Sequence, residues 1–330
     1  MPISRRGARL WRLALAALVA AAVSVPVSAA AVAETPAPAP PALPAISADT
    51  LADRYAANRA TIALAARMAE QAGNGRRAAA LRAMADPART FLSFEARGDG
   101  RVVEVLGDLT TAGRIAILVA GSGVTLESFD APTPTPYARP GPAARALYEQ
   151  VRREAGPGTE VAVVTWLDYR PPPLVGVATV TTGRAEAGAV RLRALVAALR
   201  RVAPGAPVTL LCHSYGSVVC GAAAAEPGIA DIALIGSPGV GAATVRELGT
   251  RARVWAGRGG VDWIGDVPHI RLRLLGTTVG FGADPVSPDF GARLFDAGDG
   301  GHGDYFVPGS RSLTNLARIA LGRAEEVTDG

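Results

Sequence analysis

From Arg114 onward, continuous apolar segments of strand length alternate with longer amphipathic segments, and no other feature of the sequence restricts the fold as strongly. The strand-like segments include "RIAILVAGSG", "EVAVVTWLDY" and "APVTLLC", and the helix-like segments between them are "AARALYEQVRREAG" and "AEAGAVRLRALVAALRRV". Strands that are apolar on both faces must be covered on both faces, so the alternation predicts a mostly parallel sheet with helices on either side. In such sheets, functional groups gather at the carboxyl ends of the strands.

The flanking segments extend this α/β domain over residues 91–330. Before the alternating region, "FLSFEARGDGRVVEVLG" predicts a hairpin that turns at Gly98-Asp99-Gly100. After it, the sequence predicts strands at "IADIALIGSPG", "ARVWAG" and "ARLFDAG", and a closing helix at "SLTNLARIALGRA". These elements complete one sheet of the same kind.

The first 33 residues have the pattern of a secretory signal peptide. A basic start is followed by an apolar run from Leu13 to Val27 and by small residues that end in Ala-Val-Ala before Glu34. An uncleaved membrane anchor is the alternative, but Pro26 within the run and the cleavage pattern favour removal. We therefore expect an exported protein, secreted or in the cell envelope, that keeps no stable membrane span after cleavage.

Two further segments precede the α/β domain. Residues 34–46 are rich in proline and alanine, which predicts an extended and disordered linker. Residues 47–90 are rich in alanine and predict two helices that are separated at residues 73–75. We interpret these helices as a helical prefix that packs on the main domain and carries no chemistry.

The charge of the chain gives little support for a nucleic-acid partner. The net charge is +5, and most of it comes from four arginines of the signal segment: Arg5, Arg6, Arg9 and Arg12. All 34 basic residues are arginine. The absence of lysine excludes Schiff-base lysines, Ser–Lys dyads and the lysine of a phosphate-binding loop.

The segment "LLCHSYGSVVC" at residues 210–220 matches a nucleophile elbow except at Cys212, where the pattern G-x-S-x-G has its first glycine. In that pattern, a sharp strand-to-helix turn lifts the serine hydroxyl clear of the sheet, and small residues on either side let the strand and helix approach closely. Ser214 follows a predicted buried strand, and Gly216 begins a helix of small residues. This setting favours a nucleophilic Ser214 over a serine that only caps the helix.

The chain contains three histidines that can serve as the base for this serine. His213 adjoins Ser214, and the elbow directs neighbouring side chains apart. His269 lies between two apolar runs. His302 lies in a glycine-rich loop between the last predicted strand and the closing helix, which gives the order Ser, Asp, His that this fold uses. We therefore predict His302 as the base, with a solvated loop residue as the alternative.

The carboxylate that orients the histidine is expected in the loop after "ARVWAG", which contains Asp262 and Asp266. We prefer Asp262, because the following Trp263-Ile264 can pack the loop down and so hold the carboxylate in place. Asp266 remains the alternative acid, and it can equally cap a turn. Asp284 precedes a proline and is predicted to be a turn residue.

An oxyanion hole needs two backbone N–H groups that point at the developing charge. Tyr215, directly after the nucleophile, is predicted to supply one. Ser122, in the glycine turn after "RIAILVA", is predicted to supply the other, and Gly123 is the next candidate. An ordinary glycine turn at this place is the alternative interpretation.

Cys212 and Cys220 lie on facing sides of the predicted strand–helix unit, since Cys220 is one helical turn beyond Gly216. A disulfide requires Cα atoms within about 7 Å, and a helix packed on a sheet often stands farther away. The sequence therefore favours two buried thiols that act as small apolar residues, with a bridge as the alternative.

Five segments of the chain resemble secreted actinobacterial alpha/beta-hydrolases that were formerly catalogued as a domain of unknown function: "GRIAILVAGSGVTLESFD", "HSYGS", "VWAGRGGVDWI", "GADPVSPDFGARLF" and "GHGDYF". The resemblance runs from about Phe91 to the last helix. It implies the α/β-hydrolase fold and a serine-hydrolase site, mapped here to Ser214, Asp262 and His302.

We expect from these residues an exported serine hydrolase that cleaves a small-molecule or lipid carboxylic ester through an acyl-enzyme. No metal or cofactor is expected, since two cysteines and three scattered histidines form no ligand cluster. A non-catalytic cell-envelope binding protein on the same fold is the alternative from another class, and a serine peptidase is a weaker enzymatic one.

Overall fold

The structure is a computed structural model that describes residues 35–156, 158–274 and 277–330. The predicted signal peptide lies outside these residues. The strands are β1 Thr90–Glu95, β2 Arg101–Leu106, β3 Arg114–Val119, β4 Val161–Leu167, β5 Val208–His213, β6 Ile229–Ile235, β7 Arg253–Gly257, β8 Leu272–Leu274, β9 Thr277–Val279 and β10 Arg293–Leu294. The α-helices are α1 Leu51–Gln71, α2 Gly75–Met84, α3 Leu126–Phe129, α4 Pro140–Ala155, α5 Gly183–Val202, α6 Gly216–Ala223 and α7 Arg311–Leu321.

Eight of the described strands form one sheet in the order β1-β2-β4-β3-β5-β6-β7-β10. The pairs β1–β2 and β2–β4 are antiparallel, and every pair from β4 onward is parallel. The α/β class and the mostly parallel sheet predicted from the alternating segments are therefore confirmed. The last predicted strand, "ARLFDAG", is shorter than its apolar pattern indicates, because only Arg293 and Leu294 pair with β7.

Helices cover both faces of the sheet and create two apolar cores. The first core lies under α5 and α6 and extends to the prefix helices, and the second lies under α4 and α7. Consecutive residues of β5 alternate between them: Leu210 and Cys212 belong to the first core, and Leu211 belongs to the second. This period of two is the reason that the parallel strands read as continuous apolar runs.

The helical prefix lies against β1, the edge strand of the sheet. Asn58 donates a hydrogen bond to the Phe91 carbonyl at 2.8 Å, and Arg54 donates one to the Leu92 carbonyl at 3.1 Å. Both side chains are buried, and each donates to a backbone carbonyl of β1. The prefix thereby covers an edge that is otherwise open to pairing with other strands.

The described part of the proline-rich segment, residues 35–46, forms neither helix nor strand, and it contacts the prefix helices. Arg54 also donates to the Pro44 carbonyl, and Asn74 donates to the Thr35 hydroxyl at 2.8 Å. Ala37 and Ile46 pack on the first core. Polar donors of the prefix helices therefore hold this segment, which composition alone does not reveal. None of the described helices combines the length and the apolar character that a membrane crossing requires.

Candidate active site

Ser214 lies at the carboxyl end of β5, between His213 and the start of α6, in a strained backbone conformation. Its φ angle is +54°, and no other described residue except glycine has a positive φ. Its N–H donates to the Ile235 carbonyl of the neighbouring strand at 3.0 Å. A non-glycine residue in the left-handed region costs about 1–3 kcal/mol and persists where the surrounding structure enforces it. The strand–turn–helix predicted around this serine is present.

Two glycines make the sharp turn at Ser214 possible. A Cβ atom on Gly216 would lie 2.4 Å from the Val119 carbonyl oxygen, and one on Gly121 would lie 2.8 Å from the Ser214 Cβ. Neither position tolerates a side chain without movement of the backbone. The loop after β3 and the first turn of α6 therefore approach each other as closely as backbone atoms allow.

Cys212 and Cys220 form a disulfide, so the prediction of two free thiols is wrong. Their Cα atoms are 6.4 Å apart, inside the range that a bridge requires. Gly216 contributes to this approach, because its missing side chain lets the start of α6 lie against Val119 of β3, the strand next to β5. The cysteine in the place of the first glycine is thus bonded to the helix that follows the nucleophile.

The structure brings His302 and Asp262 together at the same end of the sheet. The His302 Nδ1 lies 2.9 Å from Asp262 Oδ1 and 3.1 Å from Oδ2. The Asp262 side chain has no exposed surface, and its Oδ1 also accepts from the Ile264 N–H at 2.9 Å. The packing of Trp263-Ile264 expected from the sequence thus involves Ile264, which is buried, whereas Asp266 is exposed on the same turn.

Tyr305 is a site residue that the sequence reasoning missed. Its hydroxyl donates to Asp262 Oδ2 and accepts from the Gly259 N–H at 3.2 Å. Burial would raise the pKa of the Asp262 carboxyl, but hydrogen bonds from His302, Tyr305 and Ile264 outweigh it and hold the pKa below its usual value. Burial and the Asp262 carboxylate in turn raise the pKa of Tyr305. The one available signal was its place in "GHGDYF", three residues after His302.

His213 contacts His302 rather than Ser214. Its Nε2 lies 2.8 Å from the His302 carbonyl oxygen, and because a carbonyl only accepts, Nε2 carries the proton. Burial, followed by the neighbouring His302, lowers the pKa of His213 to about 4, so its ring is neutral. His213 and Trp263 place their ring centroids 4.8 Å and 4.6 Å from that of His302. The His302 loop is therefore held by its backbone and by aromatic packing.

His269 lies elsewhere. Its Nε2 is 3.7 Å from Asp284 Oδ1, and Asp284 also pairs with Arg258 at 2.7 Å. Asp284 accepts from the Val286 N–H at 3.2 Å, which is the turn predicted for it. His269 does not line the cavity that contains Ser214.

Ser122 and Tyr215 both lie at the wall of the cavity that contains Ser214. The Gly123 N–H donates to the Pro172 carbonyl at 2.8 Å and is therefore occupied. Within the described residues, the N–H groups of Ser122 and Tyr215 donate to no protein acceptor. The geometry thus favours Ser122 over Gly123 as the second donor to an oxyanion.

The cavity has a volume of about 520 Å³ and opens at the carboxyl ends of β3 and β5. Ser214, His302 and the two backbone donors share it with mostly apolar side chains, among them Leu118, Val124, Leu174, Val180, Ile264, Phe281 and Phe306. Leu174 and Trp263, at 74% and 56% exposed, are its most solvent-accessible apolar walls. In the part of the chain that the structure describes, no group of three His, Cys, Asp or Glu side chains is arranged to hold a metal ion.

A mostly parallel sheet with a strained serine at the end of a central strand is the architecture of an α/β-hydrolase. A family model described as alpha/beta hydrolase matches residues 95–272 of this chain. The match covers more than half of the sequence, and the chain belongs to this family.

Several solved structures are similar to the chain. The esterase PE8 is 15% identical, with 65% of this chain and 95% of that chain covered and a TM-score of 0.42. XC6422 from Xanthomonas campestris, described as a serine hydrolase without a lid, is 18% identical, with 68% and 89% covered and a TM-score of 0.40. The serine hydrolase CarC is 12% identical, with 68% and 95% covered and a TM-score of 0.40. No curated protein matches the chain.

Proposed function

We propose that the chain is a serine hydrolase that cleaves carboxylic esters through an acyl-enzyme. One observation carries the proposal: the strained Ser214 shares a cavity with His302, and the Nδ1 of His302 is held by the buried carboxylate of Asp262. Because Asp262 engages Nδ1, the other ring nitrogen, Nε2, is left to exchange a proton with the serine.

The proposed reaction has two halves, acylation of Ser214 and hydrolysis of the acyl-enzyme, and His302 acts first as a base and then as an acid in each. The Ser214 Oγ attacks the ester carbonyl carbon while His302 Nε2 accepts its proton, and the N–H groups of Ser122 and Tyr215 donate to the oxyanion. Collapse of the intermediate breaks the ester C–O bond, and the alcohol leaves with the proton from His302. Water then attacks the acyl carbon while His302 Nε2 accepts its proton. The bond between the acyl carbon and Ser214 Oγ breaks, His302 returns the proton to Ser214 Oγ, and the carboxylic acid leaves. Asp262 stays ionised throughout, in line with its lowered pKa.

The walls of the cavity support an ester with an apolar group, either a small molecule or a lipid. Apolar side chains form most of the lining, and two of them are exposed at the surface. A non-catalytic binding protein has no need of a strained serine together with a buried acid–histidine pair. The enzymatic proposal is therefore the stronger of the two.

We further propose that the protein is exported and acts outside the cytoplasm, in the medium or the cell envelope. The signal-peptide pattern of residues 1–33 supports this location. The Cys212–Cys220 disulfide is consistent with it, since such bonds persist in oxidising compartments.

Turnover of a panel of p-nitrophenyl esters, from acetyl to dodecanoyl, tests the proposed reaction. The mature chain should release p-nitrophenol, and Ser214→Ala should reduce the rate to background while its circular dichroism stays unchanged. Ser287→Ala is the matched control, because this serine does not line the cavity, and it should keep the full rate. An inactive parent chain, or an active Ser214→Ala variant, would refute the proposal.

A further inference from the structure

One charged side chain stands out in the otherwise uncharged wall of the cavity. Among the described residues that line the cavity, Arg139 is the only arginine, and there is no lysine. The other ionisable residues of the lining are two histidines and three tyrosines. Within the described ranges, no aspartate or glutamate lines the cavity. A guanidinium stays protonated at every physiological pH, so it gives this wall a fixed positive charge.

Within the described part of the chain, the Arg139 side chain has no partner. It forms no hydrogen bond and no ion pair, and its Nε is buried without an acceptor. The neighbouring arginines behave differently: Arg89 and Arg145 both pair with Asp130, at 2.9 Å and 2.6 Å. Buried polar groups of proteins are normally satisfied, and an exception calls for an explanation.

The backbone fixes Arg139 at this wall. Its N–H donates to the Pro136 carbonyl at 2.9 Å, and its carbonyl accepts from the Ala143 N–H at 3.0 Å. Arg139 is therefore locked between a 3₁₀ turn and the first turn of α4. The side chain of this lining residue therefore starts from a backbone position that two hydrogen bonds hold.

The cavity spans the two cores of the protein. Leu118 and Phe306, on its α4 side, belong to the core under α4 and α7, whereas Val124 and Phe281 belong to the core under α5 and α6. Ser214 lies at the end of the sheet between these two sides. A substrate bound at Ser214 can thus extend one part over the wall that holds Arg139 and another over an uncharged wall.

We propose that Arg139 is a specificity-determining residue, and that the substrate is an amphiphilic ester with an apolar group on one side and an anionic group on the other. A carboxylate or phosphate has the acceptor geometry that the planar guanidinium binds through two hydrogen bonds. This inference rests on the proposed esterase function, and it names the class of ester that the enzyme hydrolyses.

Two matched pairs of esters test the inference. In one pair the charge is on the acyl group: p-nitrophenyl hydrogen glutarate against the neutral p-nitrophenyl glutaramate. In the other pair it is on the alcohol: 4-butyryloxybenzoate against 4-butyryloxybenzamide. The measured quantity is the ratio of kcat/KM for the anionic and neutral members, because intrinsic reactivity cancels when one ratio is compared between enzymes.

The ratio of at least one pair should fall about tenfold or more in Arg139→Gln, which is the size expected for a charged hydrogen bond. Arg139→Lys should keep part of the ratio, since it keeps the charge but loses the planar fork. Arg67→Gln, at an exposed position of α1 outside the cavity, removes the same charge and should keep the wild-type ratio. Equal ratios in the wild type and in Arg139→Gln for both pairs would overturn the inference.

Calorimetric binding of 4-butyryloxybenzoate and 4-butyryloxybenzamide to the Ser214→Ala chain separates this inference from the proposed function. Tighter binding of the anion that is lost with Arg139→Gln supports the inference even if no ester is turned over. Absence of turnover with that preference intact would refute only the esterase function. Equal binding of both compounds, together with unchanged kinetic ratios, would refute the role of Arg139.

Discussion

At the scale of single residues, backbone conformation and hydrogen bonds hold the groups of the site in place. The φ of +54° at Ser214 sets the direction of its hydroxyl, and Asp262 receives hydrogen bonds from three different groups. Ser214, Asp262 and His302 are predictable from the elbow motif and from their order along the chain. Tyr305 and His213 are not, because their contacts join positions that only the fold brings together.

The two candidate acids should respond very differently to neutralisation. Asp262→Asn should lower kcat by about 10³- to 10⁴-fold, since an amide cannot hold the histidine tautomer that accepts the serine proton. Asp266→Asn removes an exposed carboxylate and should change kcat little. Steady-state kinetics on one ester measures both. Equal losses, or a larger loss at Asp266, would move the acid to the other end of the turn.

Tyr305→Phe should weaken the site without unfolding it. The ring still fills its buried position, but Asp262 loses one hydrogen bond, so the pKa of its carboxyl should rise towards the usual value. The carboxylate is then neutralised at a higher pH on acidification. We expect kcat to fall about tenfold and KM to stay nearly constant, which steady-state kinetics on one ester measures.

The control for this variant is Tyr148→Phe, at a half-buried tyrosine of α4 that does not line the cavity. Its kinetics should match those of the wild type. An unchanged kcat in Tyr305→Phe would show that Tyr305 only fills space.

At the scale of elements, the unit of β5, the Ser214 turn and α6 is the most constrained part of the site. Gly216 lets the start of α6 lie against β3, and the Cys212–Cys220 bridge joins α6 to β5 covalently. Sequence patterns predicted the strand, the turn and the helix. They did not predict the bridge, because the approach of the Cα atoms to 6.4 Å depends on packing against Val119 of the neighbouring strand β3.

Removal of the bridge should destabilise this unit. In the double variant Cys212→Ala/Cys220→Ala, the free energy of unfolding should fall by about 2–3 kcal/mol, the value expected for a short cross-linked loop. Urea denaturation measures the loss, and the wild type with a reductant should show the same loss. Unchanged stability in both experiments, or free thiols in the exported protein, would contradict the bridge.

At the scale of the whole molecule, the residues of the site lie at one end of a single sheet. Ser214 follows β5, Ser122 follows β3, and Asp262 follows β7, so three parallel strands deliver their side chains or N–H groups to one end. The alternation of strands and helices predicts this convergence. The alternation does not predict the contacts that position His302. The backbone of His302 accepts a hydrogen bond from His213, and its ring packs against Trp263.

The stability of the fold should depend on pH through His213. Its pKa is about 4 in the folded chain and near 6.5 when exposed. As the pH falls from 6.5 to 4, the unfolded chain binds a proton that the folded chain does not, so stability is lost in this window. The loss from this group should be of the order of 1–3 kcal/mol. His213→Gln, measured by urea unfolding at neutral and acidic pH, should lose less stability than the wild type over the same range. An identical loss would contradict a neutral buried ring.

Labelling with a fluorophosphonate, followed by peptide mass spectrometry, tests the central claim most directly, because the reagent forms a covalent bond only with an activated nucleophile. We expect one adduct on Ser214, no adduct in Ser214→Ala, and labelling slowed by about 10³-fold or more in His302→Ala. His269→Ala, whose histidine lies outside the cavity, should label at the wild-type rate. An adduct on another serine, or undiminished labelling of His302→Ala, would contradict the proposed roles of Ser214 and His302.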